Sequence, residues 1–216
     1  MTSLLDVREL EISFGGKFSV GPMTFARDHG VVYLEGPNGS GKTSLLRAIS
    51  GELRPTNGSV KVAGYDVHRS VEGRRKIALV PSEPDLPDFL TVGEAIEFAR
   101  SLRGEPHWDP RPYCEDLELD CDLVLGAASA GQRCKAELIV ALVGDPPVML
   151  FDETFAHLDS RGALRLREWI EKWSTSRLII LAQHGVPPVR LDEIFHVAAG
   201  SEVFPRAMSL PTPKTI

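Results

Sequence analysis

Residues 36–43 read GPNGSGKT, with the apolar run VVYLE directly before and the helix-forming run SLLRAIS directly after. Glycines at 36, 39 and 41 let the backbone turn its N–H groups inward, the arrangement that cradles phosphate oxygens. The spacing predicts that Lys42 reaches the β- and γ-phosphates of a bound nucleotide and that the Thr43 hydroxyl binds Mg²⁺. Pro37, Asn38, Ser40 and Ser44 complete the expected ATP-binding stretch. The plain alternative is a glycine-rich turn with a chance lysine. The strand before and the helix after are the context the phosphate motif requires, and both are present.

Moving outward, VMLFDE at 148–153 predicts a buried strand with Asp152 and Glu153 at its carboxyl end. Ligands of open α/β sheets collect at such ends. Asp152 is expected to hold Mg²⁺ through water, and Glu153 to orient and activate an attacking water. Two solvated acids at a strand end are the bland reading, and it loses force beside a phosphate loop. A third stretch, LGAASAGQRCKAEL at 125–138, is too small and polar for a core strand and opens a helix. Ser129 there is either a simple N-cap or part of an anion site, since helix N-termini attract anions.

The remaining chain predicts strands alternating with helices, hence a mainly parallel sheet covered by helices. The early segments VRELEISF and FSVGPMTFA predict antiparallel strands, and the middle of the chain a helical lobe over about 88–140. Thr91 and Glu94 suit a capping box ahead of Val92, Ala95, Ile96, Ala99 and Leu102, expected on one helix face. The expectation is one α/β domain over 1–200 and a loose tail over 201–216 containing Pro205, Pro211 and Pro213. Trp169 and Trp173, one turn apart, suit packing, and the acidic CEDLELDCD suits a solvated face.

The chain has 216 residues, 43% hydrophobic and 25% charged, an ordinary globular composition. A net charge of −6 argues against a nucleic-acid coat. Cys114, Cys121 and Cys134 form no zinc spacing, and an odd count suits a reducing compartment. No signal peptide or membrane-spanning run is legible, so any membrane role calls for a separate spanning chain.

Taken in order, these segments resemble the ATP-binding cassette ATPases, the nucleotide-binding subunits of ABC transporters. The resemblance runs from about Phe14 to His184. GPNGSGKT resembles that family's Walker A motif and VMLFDE its Walker B strand with the following glutamate. AHLD at 156–159 resembles the D-loop, and His184 occupies the position of the switch histidine. SAGQ at 129–132 resembles most of the signature motif LSGGQ. The resemblance implies the cassette architecture: a P-loop core, an N-terminal antiparallel β subdomain and a helical lobe. It implies that two subunits pack head to tail. Ser129, Ala130, Gly131, Gln132 and Asp159 of each would then meet ATP held by the other. Lys42, Glu153 and His184 would be catalytic, Phe14 would stack on adenine, and Ser82 would share the Mg²⁺ with Thr43 and Asp152.

The implied partners are membrane-spanning subunits and a second nucleotide-binding subunit, with no nucleic acid. The implied place is the cytoplasmic face of a membrane, and the implied direction is export, since LTVGEAIEFARSLRG at 90–104 resembles exporter-type subunits. The chain departs from the family at Ala128 and Ala130 in the signature, at Ser82 where glutamine is expected, and at Thr154 where proline is frequent. These departures motivate a rival reading, a switch subunit that binds ATP and hydrolyses it weakly in a heterodimeric or non-transport complex. A small-molecule kinase would share Lys42 and Thr43 but has no use for SAGQ. A translation or repair cassette would carry a second cassette or a coiled coil.

Overall fold

The computed structural model describes residues 3–15 and 18–206. Two strands, β1 (Leu5–Phe14) and β2 (Phe18–Arg27), pair antiparallel, and β4 (Asn57–Val62) and β5 (Tyr65–Asp66) extend them into a sheet ordered β2-β1-β4-β5. A second sheet is ordered β10-β9-β3-β8-β7-β6. Its members are β3 (Gly30–Glu35), β6 (Ile77–Val80), β7 (Val148–Asp152), β8 (Leu178–Ala182), β9 (Glu193–His196) and β10 (Phe204–Arg206). All neighbours in it run parallel except the edge pair β9–β10. This is the expected α/β class, a P-loop core with an antiparallel β subdomain.

The parallel strands are apolar along their whole length because both faces are covered. Side chains alternate across the pleat. Val31, Tyr33, Met149, Phe151, Ile179 and Leu181 face one cluster, which also holds residues of α3 (Val92–Arg103), α4 (Arg111–Leu117), α5 (Ala130–Leu142) and α7 (Ser160–Trp173). Val32, Leu34, Val148, Leu150, Leu178 and Ile180 face the other, which is shared with α1 (Lys42–Ser50) and the antiparallel sheet. Two short helices, α2 (Val71–Arg75) and α6 (Thr154–His157), lie between strands. Trp169 and Trp173 are packing residues, tilted against each other, and Trp169 also meets Tyr113 of α4 edge-on.

The capping box of α3 forms as the sequence predicts: Thr91 Oγ1 accepts the Glu94 N–H at 3.2 Å and Glu94 accepts the Thr91 N–H at 2.8 Å. Leu102 departs from expectation. It is 63% exposed, together with Phe98 at 62%, so the buried stripe of α3 ends at Ala99. The loose tail expected from 201 is corrected at its start, because Phe204–Arg206 pair with Ile194, Phe195 and His196 of β9. Residues 207–216 of that expectation lie outside the described residues.

Strand register positions the site. Leu34 and Asp152 both pair with Ala182, so β3, β7 and β8 end level with one another. The three loops that leave these ends carry Gly36–Thr43, Glu153 and His184.

Candidate functional site

The loop from Gly36 to Gly41 closes over the N-terminus of α1. Its glycines are fixed by space and by backbone angle. A Cβ on Gly36 would stand 2.3 Å from the Val197 carbonyl and 2.7 Å from Ser40 Oγ. Gly41 has φ 104° and lies against Val20, where a Cβ would meet side-chain carbon at 2.9 Å. Gly41 is also the N-cap of α1 and offers no side chain to the helix's first N–H groups. Those donors and the helix dipole therefore face the loop interior, an electropositive seat for an anion.

Lys42 is 6% exposed, and its ammonium donates to the carbonyls of Gly36 at 2.8 Å and Pro37 at 3.1 Å. A buried ammonium bonded to two neutral carbonyls, with the Asp152 carboxylate nearby but not in direct contact, is favourably placed for an anionic ligand. Thr43 Oγ1 donates to Asp152 Oδ2 at 2.8 Å. Asp152, the last residue of β7, is 2% exposed, and its Oδ1 is buried without a hydrogen-bond partner. Burial raises the Asp152 pKa, while the Thr43 hydroxyl and, more weakly, Ser82 and Lys42 favour its charged form. Ser82 thus counts among the neighbours of the carboxylate, whose Oδ1 keeps no hydrogen-bond partner. A hydroxyl beside a carboxylate with a spare buried oxygen is a hard oxygen donor set, and it fits Mg²⁺.

Glu153 follows in the left-handed region at φ 52°. Non-glycine residues held there cluster at functional sites. Its N–H donates to the Ala182 carbonyl at 2.7 Å, and its Oε2 accepts the backbone N–H of His184 at 2.9 Å. The acid and the histidine are thereby linked through main chain. Tyr33 pins the same segment, because its hydroxyl donates to the Gln183 and Gly185 carbonyls at 3.2 and 2.7 Å. The tyrosine was legible only as a polar-tipped aromatic in an apolar strand, a residue type that seeks a partner when buried.

An open depression of about 680 Å³ lies above these groups, lined by Asn38–Ser44 together with Phe18, Glu153, Ala156, His157 and His184. Gly36 and Pro37 take part through their carbonyls on Lys42. Phe14 is not among the lining residues. It is 47% exposed, and its ring packs on Phe18 at 6.0 Å, its partner across the β1–β2 hairpin. The ring that reaches the depression is therefore Phe18, four residues along, which the sequence reading passed over.

Ser129–Gln132 are not brought to the depression of their own chain. Ser129 is the exposed N-cap of α5, with its Oγ accepting from Gln132 N at 3.2 Å and Gln132 Oε1 accepting from Ser129 N at 2.9 Å. Gly131 lies near the His157 carbonyl, where a Cβ would stand 3.3 Å away. Asp159 caps α7, accepting Gly162 N at 2.7 Å, and pairs with Lys135 of α5 at 2.7 Å.

Among known proteins, the family model described as ABC transporter matches residues 23–156. The cobalamin import ATP-binding protein of Halobacterium salinarum is 32% identical over 91% of this chain and 53% of its own length. The Nod factor export ATP-binding protein I of Burkholderia lata is 33% identical over 73% of this chain and 55% of its own. The chain spans about half the length of these relatives. A solved ATP-binding subunit of an ABC transporter superposes with a TM-score of 0.83 at 25% identity, covering 91% of this chain and 86% of that one. The fold, the phosphate loop and the matched span converge: this chain belongs to the ABC transporter family.

Proposed function

We propose that the chain binds Mg²⁺-ATP at the Gly36–Ser44 loop, hydrolyses it, and drives transport through separate membrane-spanning subunits by ATP-dependent pairing of two nucleotide-binding subunits. The observation that carries this reading is the convergence of Lys42, the Thr43–Asp152 pair and the Glu153–His184 link at the level ends of β3, β7 and β8. In this reading the Lys42 ammonium leaves the loop carbonyls for the β- and γ-phosphates. Thr43 and Asp152 hold Mg²⁺, which neutralises charge on the phosphates, with Ser82 beside them. Phe18 supports the base in place of Phe14. Glu153 orients the attacking water, and the His184 imidazole faces the terminal phosphate.

The exposed serine cap supports pairing. Ser129–Gln132 form a capped helix N-terminus that does not line the depression of their own chain, so in this reading a second subunit presents such an end to each phosphate. Asp159 stands beside that end through Lys135. No described helix is long and apolar enough to cross a membrane. The docking place we assign is an apolar groove of about 580 Å³ lined by Leu86, Phe89, Phe98 and Leu102. Phe89 is 82% exposed. Rings this exposed, bordering the Ser82 loop, suit an amphipathic helix of the membrane subunit at the cytoplasmic face. The direction in this reading is export, resting on the likeness of residues 90–104 to exporter-type subunits. Relatives named for import and for export match at nearly equal identity.

Light scattering on purified Glu153→Gln protein tests the reading, because that change retains binding and stalls hydrolysis. The expected result is a dimer that appears only with ATP and Mg²⁺. Protein that binds no ATP under any condition would sink it.

A further inference from the structure

Helix α5 carries a buried carboxylate that the proposed reaction does not use. Glu137 is 8% exposed and sits eight residues after the Ser129 cap, about 12 Å along the helix. Its Oε1 accepts the backbone N–H groups of Asp85 at 2.5 Å and Leu86 at 2.9 Å. One turn earlier on the same face, Arg133 donates to the Leu86 carbonyl at 3.0 Å and the Leu125 carbonyl at 3.0 Å, and pairs with Asp88. Two side chains of one helix thus grip the loop 85–88 at three backbone groups and a carboxylate. The loop has its own ties at both ends. Ser82, three residues before Asp85, neighbours the Asp152 carboxylate. Leu86, Pro87, Phe89 and Leu90 form one wall of the apolar groove.

We infer that Glu137 is a positioning residue: its carboxylate clamps the Asp85–Leu86 backbone to the helix that begins at Ser129, so that the groove wall, the Ser82 loop and the serine cap move as one body. This rests on the proposed reading of the phosphate loop and the groove. The choice of residue is physical. A backbone N–H bonded to a charged acceptor is held about twice as strongly as one bonded to a neutral acceptor. A buried carboxylate left without those donors is costly, so loop and helix are driven to stay together. Glutamate has the reach to meet two successive amides of a loop that contributes no regular pairing of its own.

The test compares wild-type protein with Glu137→Gln and Glu137→Ala in two measurements. The first is hydrogen exchange at the Asp85 and Leu86 amides, which needs no ligand. Exchange should speed up by tenfold or more in Glu137→Ala, and by less in Glu137→Gln, whose carbonyl oxygen still accepts. Amides of β3, β7 and β8 should be unchanged. The second is binding of a non-hydrolysable ATP analogue titrated with MgCl₂. In Glu137→Ala the Mg²⁺ concentration for half-maximal binding should rise threefold to tenfold, because Ser82 is no longer held beside Asp152. Affinity for the analogue without Mg²⁺ should stay within twofold, and Glu137→Gln should fall between.

Amides of Asp85 and Leu86 that exchange as freely in wild type as in the variants would overturn the clamp. Faster exchange with an unaltered Mg²⁺ requirement would overturn the coupling and leave a local fastening. Wild-type protein that binds no analogue would refute the nucleotide reading and the coupling with it, while exchange would still report on the clamp. Should Glu137→Ala fail to fold, Glu137→Gln, nearly the same in shape, carries both measurements.

Discussion

Two helix N-termini in this molecule are finished in opposite ways. That of α1 has glycine as its N-cap and no side-chain acceptor, so its donors stay open toward the loop that Lys42 closes. That of α5 has Ser129 and Gln132 locked in a reciprocal capping box, and it faces outward. The first is open at the level of local structure. The second is complete as a fold, and its Ser129 side chain is already used, accepting the Gln132 N–H. A capped helix still offers its dipole and its remaining first-turn donors. The contrast therefore teaches that the α1 end keeps its donors open within the chain, while the α5 end closes on its own capping box and stands exposed.

The sharpest way to break the comparison is at the chemistry of the first end. Glu153→Gln should lower turnover by about 10²–10⁴-fold, the range for removing a positioned base, with ATP binding retained. Turnover measured under saturating ATP checks this, and near-normal rates would remove Glu153 from its assigned role. Lys42→Ala comes next. Losing charge-assisted contacts to phosphate should weaken ATP binding by roughly 10–100-fold, about 1.5–3 kcal/mol, read by calorimetry. If affinity is unchanged, the buried ammonium is only a loop fastener, as its bonds to Gly36 and Pro37 would then suggest.

The second end is probed without touching the first. Ser129→Arg should leave ATP binding by the single subunit within about twofold, since Ser129 is not a lining residue of its own depression. It should abolish the ATP-dependent dimer expected with Glu153→Gln. The cap itself contributes about 1 kcal/mol to helix stability, so Ser129→Ala separates the two roles. It should lower thermal stability by a few degrees and weaken the dimer less than arginine does. A Ser129→Arg dimer as strong as the parent would mean that α5 is only a capped helix.

This asymmetry also explains how much was legible from sequence. Gly36–Thr43, Asp152 and Glu153 are local: each sits at the end of an apolar strand, and strand register alone brings them level. The capping box at Thr91 and the N-cap at Ser129 were equally readable, because all their atoms lie within four residues. What the sequence left undecided was long-range. Phe14 and Phe18 are indistinguishable as letters, and only the hairpin decides which ring faces the depression. Leu102 continues the apolar period of α3, yet no element covers it, so it joins the groove. Glu137 carries no signal in the sequence that sets it apart from other helix charges. Its two partners lie 51 and 52 residues upstream, beyond any spacing rule.

The smallest expected effect tests whether the second end is also held from behind. Asp159 spends one oxygen on the Gly162 N–H and the other on Lys135, and the lysine contact, then the Gly162 bond, hold its carboxyl below the usual carboxylate range. A lowered acid pKa contributes stability above the unfolded value, about 3.9, and loses it as pH falls through the folded value. Asp159 is 59% exposed, so water screens the pair and its contribution is at most about 1 kcal/mol. Asparagine caps a helix as well as aspartate does, so Asp159→Asn isolates the ion pair from the cap. The melting temperature at pH 7 should drop by about 2–4 °C, and the gap to wild type should close as the pH is taken below 4. If the gap instead persists in acid, the lysine is not what the carboxylate serves. If stability barely moves while the ATP-dependent dimer weakens, Asp159 acts across the interface rather than on its own helix, and the α5 end is the outward-looking half of a site that only a second subunit can close.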